Sequence, residues 1–222
     1  MRTKFVFTLL IIAVASVVTS CAQKNSTNKT NSKTNSIPVM SENAKLDTIT
    51  LGGGCFWCVE AIYQRLNGVI TVTSGYAGGK RANPSYEQVS SGATGHAEVV
   101  QIVFDTTVIP LAEILQVFFK VHDPTTLNLQ GADEGTQYRS VVFYNSEEQK
   151  KTAEDIKNGL NKSGAFDSPI VTEIAPYSNF YKAEDYHQNY YNQNKNRNPY
   201  CSIVIVPKIE KFEAYFKDKL KK

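Results

Sequence analysis

The residue types best suited to chemistry fall in one run, Gly52-Gly53-Gly54-Cys55-Phe56-Trp57-Cys58-Val59-Glu60. Apolar residues at Val59, Ile62, Tyr63 and Leu66 recur with the spacing of one helical face, so a helix is predicted over 56–66 and Cys55 stands where it begins. A thiol at a helix start meets unpaired backbone N–H groups and the positive end of the helix dipole, and both favour thiolate over thiol. Cys55 is therefore a candidate nucleophile. The ordinary alternative, a buried structural cysteine, fits poorly after three glycines at a strand-to-helix turn. Cys58, three residues on, raises two further possibilities, zinc and a thioredoxin-like dithiol. A closed zinc site needs four ligands, and His96, His122, His187 and Cys201 are widely separated, so no metal is expected. The dithiol reading fits the local context and stays open as a thiol-disulfide oxidoreductase acting on protein cysteines.

The elements that must position these residues can be read from periodicity and punctuation. Strands are predicted over 46–51, 69–76, 97–104, 140–144 and 170–175. Helices are predicted over 111–121, after Pro110, and over 146–160, where Ser146 and Gln149 have capping-box spacing. A short aromatic helix is predicted over 182–191, which would put Tyr186 and Tyr190 on one face, and Ser202 to Pro207 reads as a strand. Strand sometimes follows strand directly, so the expected class is α+β, a single domain over 46–222 with a mixed or antiparallel sheet, flanking helices and a long C-terminal segment. The 222 residues, 41% hydrophobic and 11% aromatic, suffice for one such core.

The net charge of +3 is misleading as a sign of nucleic-acid binding. Residues 1–45 carry +5 and the rest −2, with no basic stripe beyond a Lys-rich end at 217–222, so no nucleic-acid partner is expected. Arg2 and Lys4 followed by apolar Phe5 to Val18 read as an export signal over 1–20, too short to span a bilayer comfortably. Val18-Thr19-Ser20-Cys21 resembles the lipobox of bacterial lipoproteins, which implies Sec export and a lipid anchor on Cys21. Residues 21–45 are then a tether of Asn, Ser, Thr and Lys. The expected location is the bacterial cell envelope, on the periplasmic or outer-surface face, with the lipid as the only membrane contact.

Gly54-Cys55-Phe56-Trp57-Cys58-Val59-Glu60 resembles the signature of peptide methionine sulfoxide reductases of the A type. Further blocks are similar in the same order: Ser74 to Gly79, Asn83 to Val89, Thr94 to Val100, His122 to Thr125, Gly135 to Ser140 and Ala183 to Gln188. The resemblance spans Thr48 to about Phe212 and implies a ferredoxin-like sandwich that reduces the S epimer of methionine sulfoxide, free or in proteins. It assigns Cys55 as the attacking thiolate, Glu98 as the acid that protonates the departing oxygen, and Tyr86 and Tyr138 as donors to that oxygen. Without it, Glu98 would be read as a solvated residue of an alternating strand.

By the same resemblance Phe56 and Trp57 wall the site for the S-methyl group, Asp133 orders it, and Tyr190 lies near the substrate. Cys201, in a polar Asn-rich loop able to swing, matches the resolving thiol that condenses with the Cys55 sulfenic acid, Cys58 being the rival. The strand-like stretch after Cys201 departs from the Gly-rich tail frequent in the family. No bound cofactor is implied, a thioredoxin-like dithiol protein is the expected reductant, and a monomer is expected. His96, His122 and His187 are read as structural. A binding lipoprotein without catalysis would leave the helix-start thiol without a purpose.

Overall fold

The structure, a computed structural model, describes residues 43–222; the signal expected over 1–20, the expected lipidation site Cys21 and the expected tether as far as residue 42 lie outside them. The chain runs β1 (Leu46–Gly52), α1 (Phe56–Tyr63), β2 (Val69–Ala77), α2 (Tyr86–Ser90), β3 (Ala97–Asp105), α3 (Leu111–Val121), β4 (Leu129–Gln130) and β5 (Asp133–Glu134). It continues through β6 (Val141–Tyr144), α4 (Glu147–Ser163), β7 (Glu173–Pro176), β8 (Phe180–Lys182), α5 (Tyr190–Asn194) and α6 (Val206–Tyr215). Six strands form one sheet in the order β7-β6-β1-β3-β2-β8, antiparallel except for β6 and β7. Its inner four, β6-β1-β3-β2, with α1 and α3 as the crossovers, make the β-α-β-β-α-β plan of a ferredoxin-like sandwich. The α+β class with a mixed sheet is as the sequence predicts.

The sheet is covered on both faces at its centre, and this decides the site. Val100, Ile102 and Phe104 of β3 join Ile49, Leu51, Ile62 and Phe118 in the main core. Ala97 and Val99, of opposite parity, belong to a smaller cluster with Ala77, Val141 and Phe143. Glu98 shares parity with Val100 and is only 1% exposed, so the solvated position expected from its residue type is wrong. The core is built from Ile, Leu, Val, Phe, Tyr, Ala and Cys, because the chain's two methionines, Met1 and Met40, lie outside the described residues.

Three expectations for the C-terminal half are corrected. The helix predicted over 182–191 is interrupted: β8 is followed by a single 3-10 turn, Asp185–His187, and Asn189 takes a left-handed conformation (φ +53°) before α5 begins. Tyr186 and Tyr190 therefore share no helical face, and Tyr186 is 59% exposed. The strand predicted over 202–207 is a π-helical turn, Cys201–Ile205, that runs straight into α6 with Pro207 in its first turn, where a missing N–H costs little. Cys201 is consequently fully buried, held by its N–H to Asn198 O at 3.0 Å, and not in a free loop. The third strand-like stretch pairs only over β7, which starts three residues later than 170.

Candidate active site

The strand-to-helix turn sets the thiols. Gly54 has φ +84°, and a Cβ there would stand 2.6 Å from Gln130 Cγ, so both backbone and space demand glycine. Cys55 becomes the N-cap of α1 and Cys58 the third helical residue, its N–H donating to Cys55 O at 3.1 Å. Across the helix start, Glu98 Oε2 accepts the Phe56 N–H at 3.1 Å. Tyr86 opens α2, whose capping box is closed by Ser85 and Gln88, and its N–H donates to Glu184 Oε1 at 2.9 Å. Tyr138 ends a 3-10 turn, Thr136–Tyr138, beyond the β4–β5 hairpin. Asp133, on that hairpin, accepts the Tyr200 hydroxyl at 2.7 Å.

The charges in this pocket are coupled. Burial pushes the Glu98 carboxyl up to about 8, overcoming the Phe56 N–H that favours the carboxylate, and the charges of Asp133 and Cys58 push the same way. A protonated acid thus stands beside the helix start at neutral pH. Burial also pushes the Cys55 thiol well up, helped by the hydrogen bond and charge of Cys58 and by Glu98. Cys58 goes down, to about 7, because Cys55 donates a hydrogen bond to it and Lys208 adds positive charge, both against its burial. Cys55 thus shares its proton with Cys58 through their hydrogen bond, and burial outweighs the helix start expected to keep Cys55 ionised. Tyr86 and Tyr138 are raised by burial and then by Glu98, so both hydroxyls keep the proton needed to donate.

An aromatic wall adjoins the thiols. Trp57 and Tyr190 stack with ring centres 3.7 Å apart and planes 6° from parallel, and the Trp57 indole N–H donates to His187 Nδ1 at 3.0 Å. The His187 ring lies 5.0 Å from Phe56 and 4.5 Å from Tyr86. Burial lowers the His187 pKa against the pull of Glu184, which keeps Nδ1 free to accept. His187 is thus part of the wall, more than the structural residue the sequence suggests, whereas His96 and His122 remain structural. His96 Nδ1 accepts the Gly79 N–H at 3.0 Å, and His122 bridges Phe118 O and Ser140 Oγ.

All the sequence-named residues of the described part, Cys55, Glu98, Tyr86, Tyr138, Phe56, Trp57, Asp133 and Tyr190, meet in this one region, with Cys201 buried in the same core and Cys58 near enough to raise it. Cys21 lies outside the described residues. Sequence reasoning missed Tyr200, which lies beside both thiols, and Glu184, which accepts from Tyr76 Oη at 2.8 Å as well as from Tyr86. Tyr200 directly precedes Cys201 and Glu184 sits inside a motif already noted, so both were within reach.

A helix-start thiol facing a buried, protonated carboxyl, on a ferredoxin-like α+β sheet, is the equipment of a thiol-dependent oxidoreductase. Comparison with known proteins narrows this. The family model for peptide methionine sulfoxide reductase matches residues 47–220, and the chain belongs to that family. It is 53% identical over 176 residues to the peptide methionine sulfoxide reductase MsrA of Saccharolobus solfataricus, covering 79% of this chain and 98% of the relative. It is 54% identical over 175 residues to the MsrA of Trichodesmium erythraeum, again 79% of this chain and 98% of the relative. Among solved structures, methionine sulfoxide reductase A of Corynebacterium diphtheriae is similar with a TM-score of 0.66 at 34% identity, over 69% of this chain and 78% of that one. Reduced Mxr1 of Saccharomyces cerevisiae gives 0.63 at 37% identity, over 72% and 94%.

Proposed function

We propose that the protein reduces the S epimer of methionine sulfoxide, free or in proteins, to methionine, and so repairs oxidative damage. The observation that carries this reading is the Glu98 carboxyl buried at the Cys55 end of α1, its Oε2 accepting the Phe56 N–H at 3.1 Å, close enough to Tyr86 and Tyr138 for its charge to raise both. Sulfoxide oxygen leaves only with protons, and disulfide exchange, the other chemistry open to a Cys-x-x-Cys helix start, has no oxygen to protonate. Cys55 passes its proton to Cys58, the thiol held down to about 7, and attacks the sulfoxide sulfur as the thiolate; Glu98 delivers its proton to the oxygen, with Tyr86 and Tyr138 donating to it. The oxygen ends on Cys55 as a sulfenic acid and methionine departs with its sulfur reduced. Phe56 and Trp57 receive the S-methyl group, with Tyr190 against Trp57 and Asp133 held by Tyr200. The test is incubation with dithiothreitol and a mixture of both epimers; consumption of the S epimer alone supports the reading, and loss of neither epimer overturns it in favour of the disulfide oxidoreductase.

The sulfenic acid condenses with a second thiol, forming a disulfide and releasing water, and a thioredoxin-like dithiol protein reduces that disulfide. The family resemblance makes Cys201 the resolving thiol, which is buried in the π-helical turn within the same core as Cys55 and Cys58. Cys201→Ser is expected to yield one methionine per enzyme and then stall with thioredoxin as reductant, with sulfenic acid trapped by dimedone. A stall with Cys58→Ser and full turnover with Cys201→Ser would move the role to Cys58.

The protein is further proposed to be a monomer anchored in the bacterial cell envelope by lipid on Cys21 after export, on the strength of the Val18-Thr19-Ser20-Cys21 sequence. Cys21→Ser should shift it from the membrane to the soluble fraction, because the acyl chains are the only strong anchor in this reading. Retention in the membrane fraction would remove the anchor from the account.

A further inference from the structure

Glu60 is a charged residue that the chemistry above does not use, yet it is 1% exposed in the main core side of α1. Its Oε1 accepts the Asn189 N–H at 2.8 Å and its Oε2 accepts the Tyr190 N–H at 3.1 Å. These are the first donors of α5, where the chain passes through the left-handed Asn189, and a helix start leaves such N–H groups without a partner inside the helix. Glu60 and Trp57 are three residues apart on α1, so they lie on one face. The clamp therefore delivers Tyr190 to the ring beside it, where it stacks on Trp57. Asn198 Nδ2 holds the far end of Tyr190, donating to Oη at 2.9 Å. One eight-residue helix thus carries the nucleophile at its cap, the wall in its first turn and the clamp for the wall's second ring in the next.

We propose that Glu60 is a positioning residue for substrate binding: by accepting both N–H groups at the start of α5 it fixes Tyr190 on Trp57, and so sets the wall against which the S-methyl group is received. The proposal rests on the sulfoxide-reductase reading for its kinetic consequence, while its structural consequence can be measured without substrate. A carboxylate is required because it offers two acceptor oxygens in one plane to two successive N–H groups, and an amide offers one oxygen and two hydrogens. Such a wall touches the methyl group equally before and during reaction, so loosening it weakens binding and leaves the chemical step.

The test uses the full chain with Glu60→Gln, which keeps size and one acceptor, and Glu60→Ala as the stronger variant. Trp57 is the only tryptophan in the chain, so its emission reports the wall alone. Glu60→Gln is expected to shift that emission to longer wavelength and to raise KM for methionine sulfoxide about tenfold, the loss falling on KM while kcat stays within about twofold. Introduced into Tyr190→Ala, the same change should add almost nothing, because Glu60 acts through that ring. A folded Glu60→Gln with unaltered emission and KM, or with an effect that adds fully to Tyr190→Ala, would show that Glu60 only caps α5. Failure of the wild-type protein to consume methionine sulfoxide overturns the reductase reading, and the emission of the two single variants and the double variant still decides the role of Glu60.

Discussion

Cys55→Ser is expected to abolish methionine release, by on the order of a thousandfold or more, in a protein that stays folded. The loss is chemical in origin. A serine hydroxyl keeps its proton at any accessible pH, and oxygen transfer to it would form a weak O–O bond where cysteine forms a stable sulfenic acid. Folding is protected for a separate reason: Cys55 is the N-cap of α1 and makes no side-chain capping bond, while Ser is among the best N-cap residues. Methionine formed under dithiothreitol, read alongside a thermal melt, checks both halves. The sharing of one proton between Cys55 and Cys58 makes the companion variant informative. If Cys58→Ser abolishes the first turnover and Cys55→Ser leaves it within about tenfold of wild type, the nucleophile is Cys58.

Glu98→Gln should slow the single turnover by roughly 10²- to 10⁴-fold, the usual contribution of a positioned acid. Gln is close in size and can still accept the Phe56 N–H that Glu98 Oε2 holds at 3.1 Å, so the loss reports the proton. With the carboxyl raised to about 8, the wild-type rate should fall as pH rises through that value, and the variant should lack this limb. Stability carries the same signature with a definite sign. The unfolded carboxyl ionises near 4.5 and the folded one near 8, so between these values the folded state holds the extra proton. Stability is then greatest below the lower value and declines as pH rises through the interval, by up to about 1.4 kcal/mol per pH unit. Urea melts at several pH values should show a shallower decline for Glu98→Gln. Variant rates within about threefold of wild type from about pH 5 to 9 would pass the proton to Tyr86, Tyr138 or water.

Much of this arrangement was legible. β1, β2, β3 and α3 fall within a residue or so of their predicted limits because alternation, the triple glycine and Pro110 each mark a boundary. The depth of Glu98 was also legible, since Val100, Ile102 and Phe104 share its parity, but residue type outweighed register. The stretch after Cys201 failed similarly. Ile203-Val204-Ile205-Val206 is β-branched and reads as a strand, yet Ile205, Ile209 and Phe212 lie at i, i+4 and i+7 and all three are buried. Core packing won over local propensity. Contacts such as Glu60 with Tyr190, or Trp57 with His187, join residues 130 apart and left no local trace.

The absence of methionine from the folded domain matters for an enzyme whose work begins when oxidant is present. Peroxide strong enough to create its substrate would convert a core methionine into a bulky dipole and loosen the packing around it. A core of aliphatic and aromatic side chains offers no such target, so oxidant that creates the substrate does not loosen the repairer's own packing. What remains vulnerable to oxidant in that interior is its sulfur, Cys55, Cys58 and Cys201, gathered where a sulfenic acid finds a neighbouring thiol before further oxygen arrives. Oxidative injury is thereby channelled into a disulfide, the one lesion that the catalytic cycle already knows how to undo.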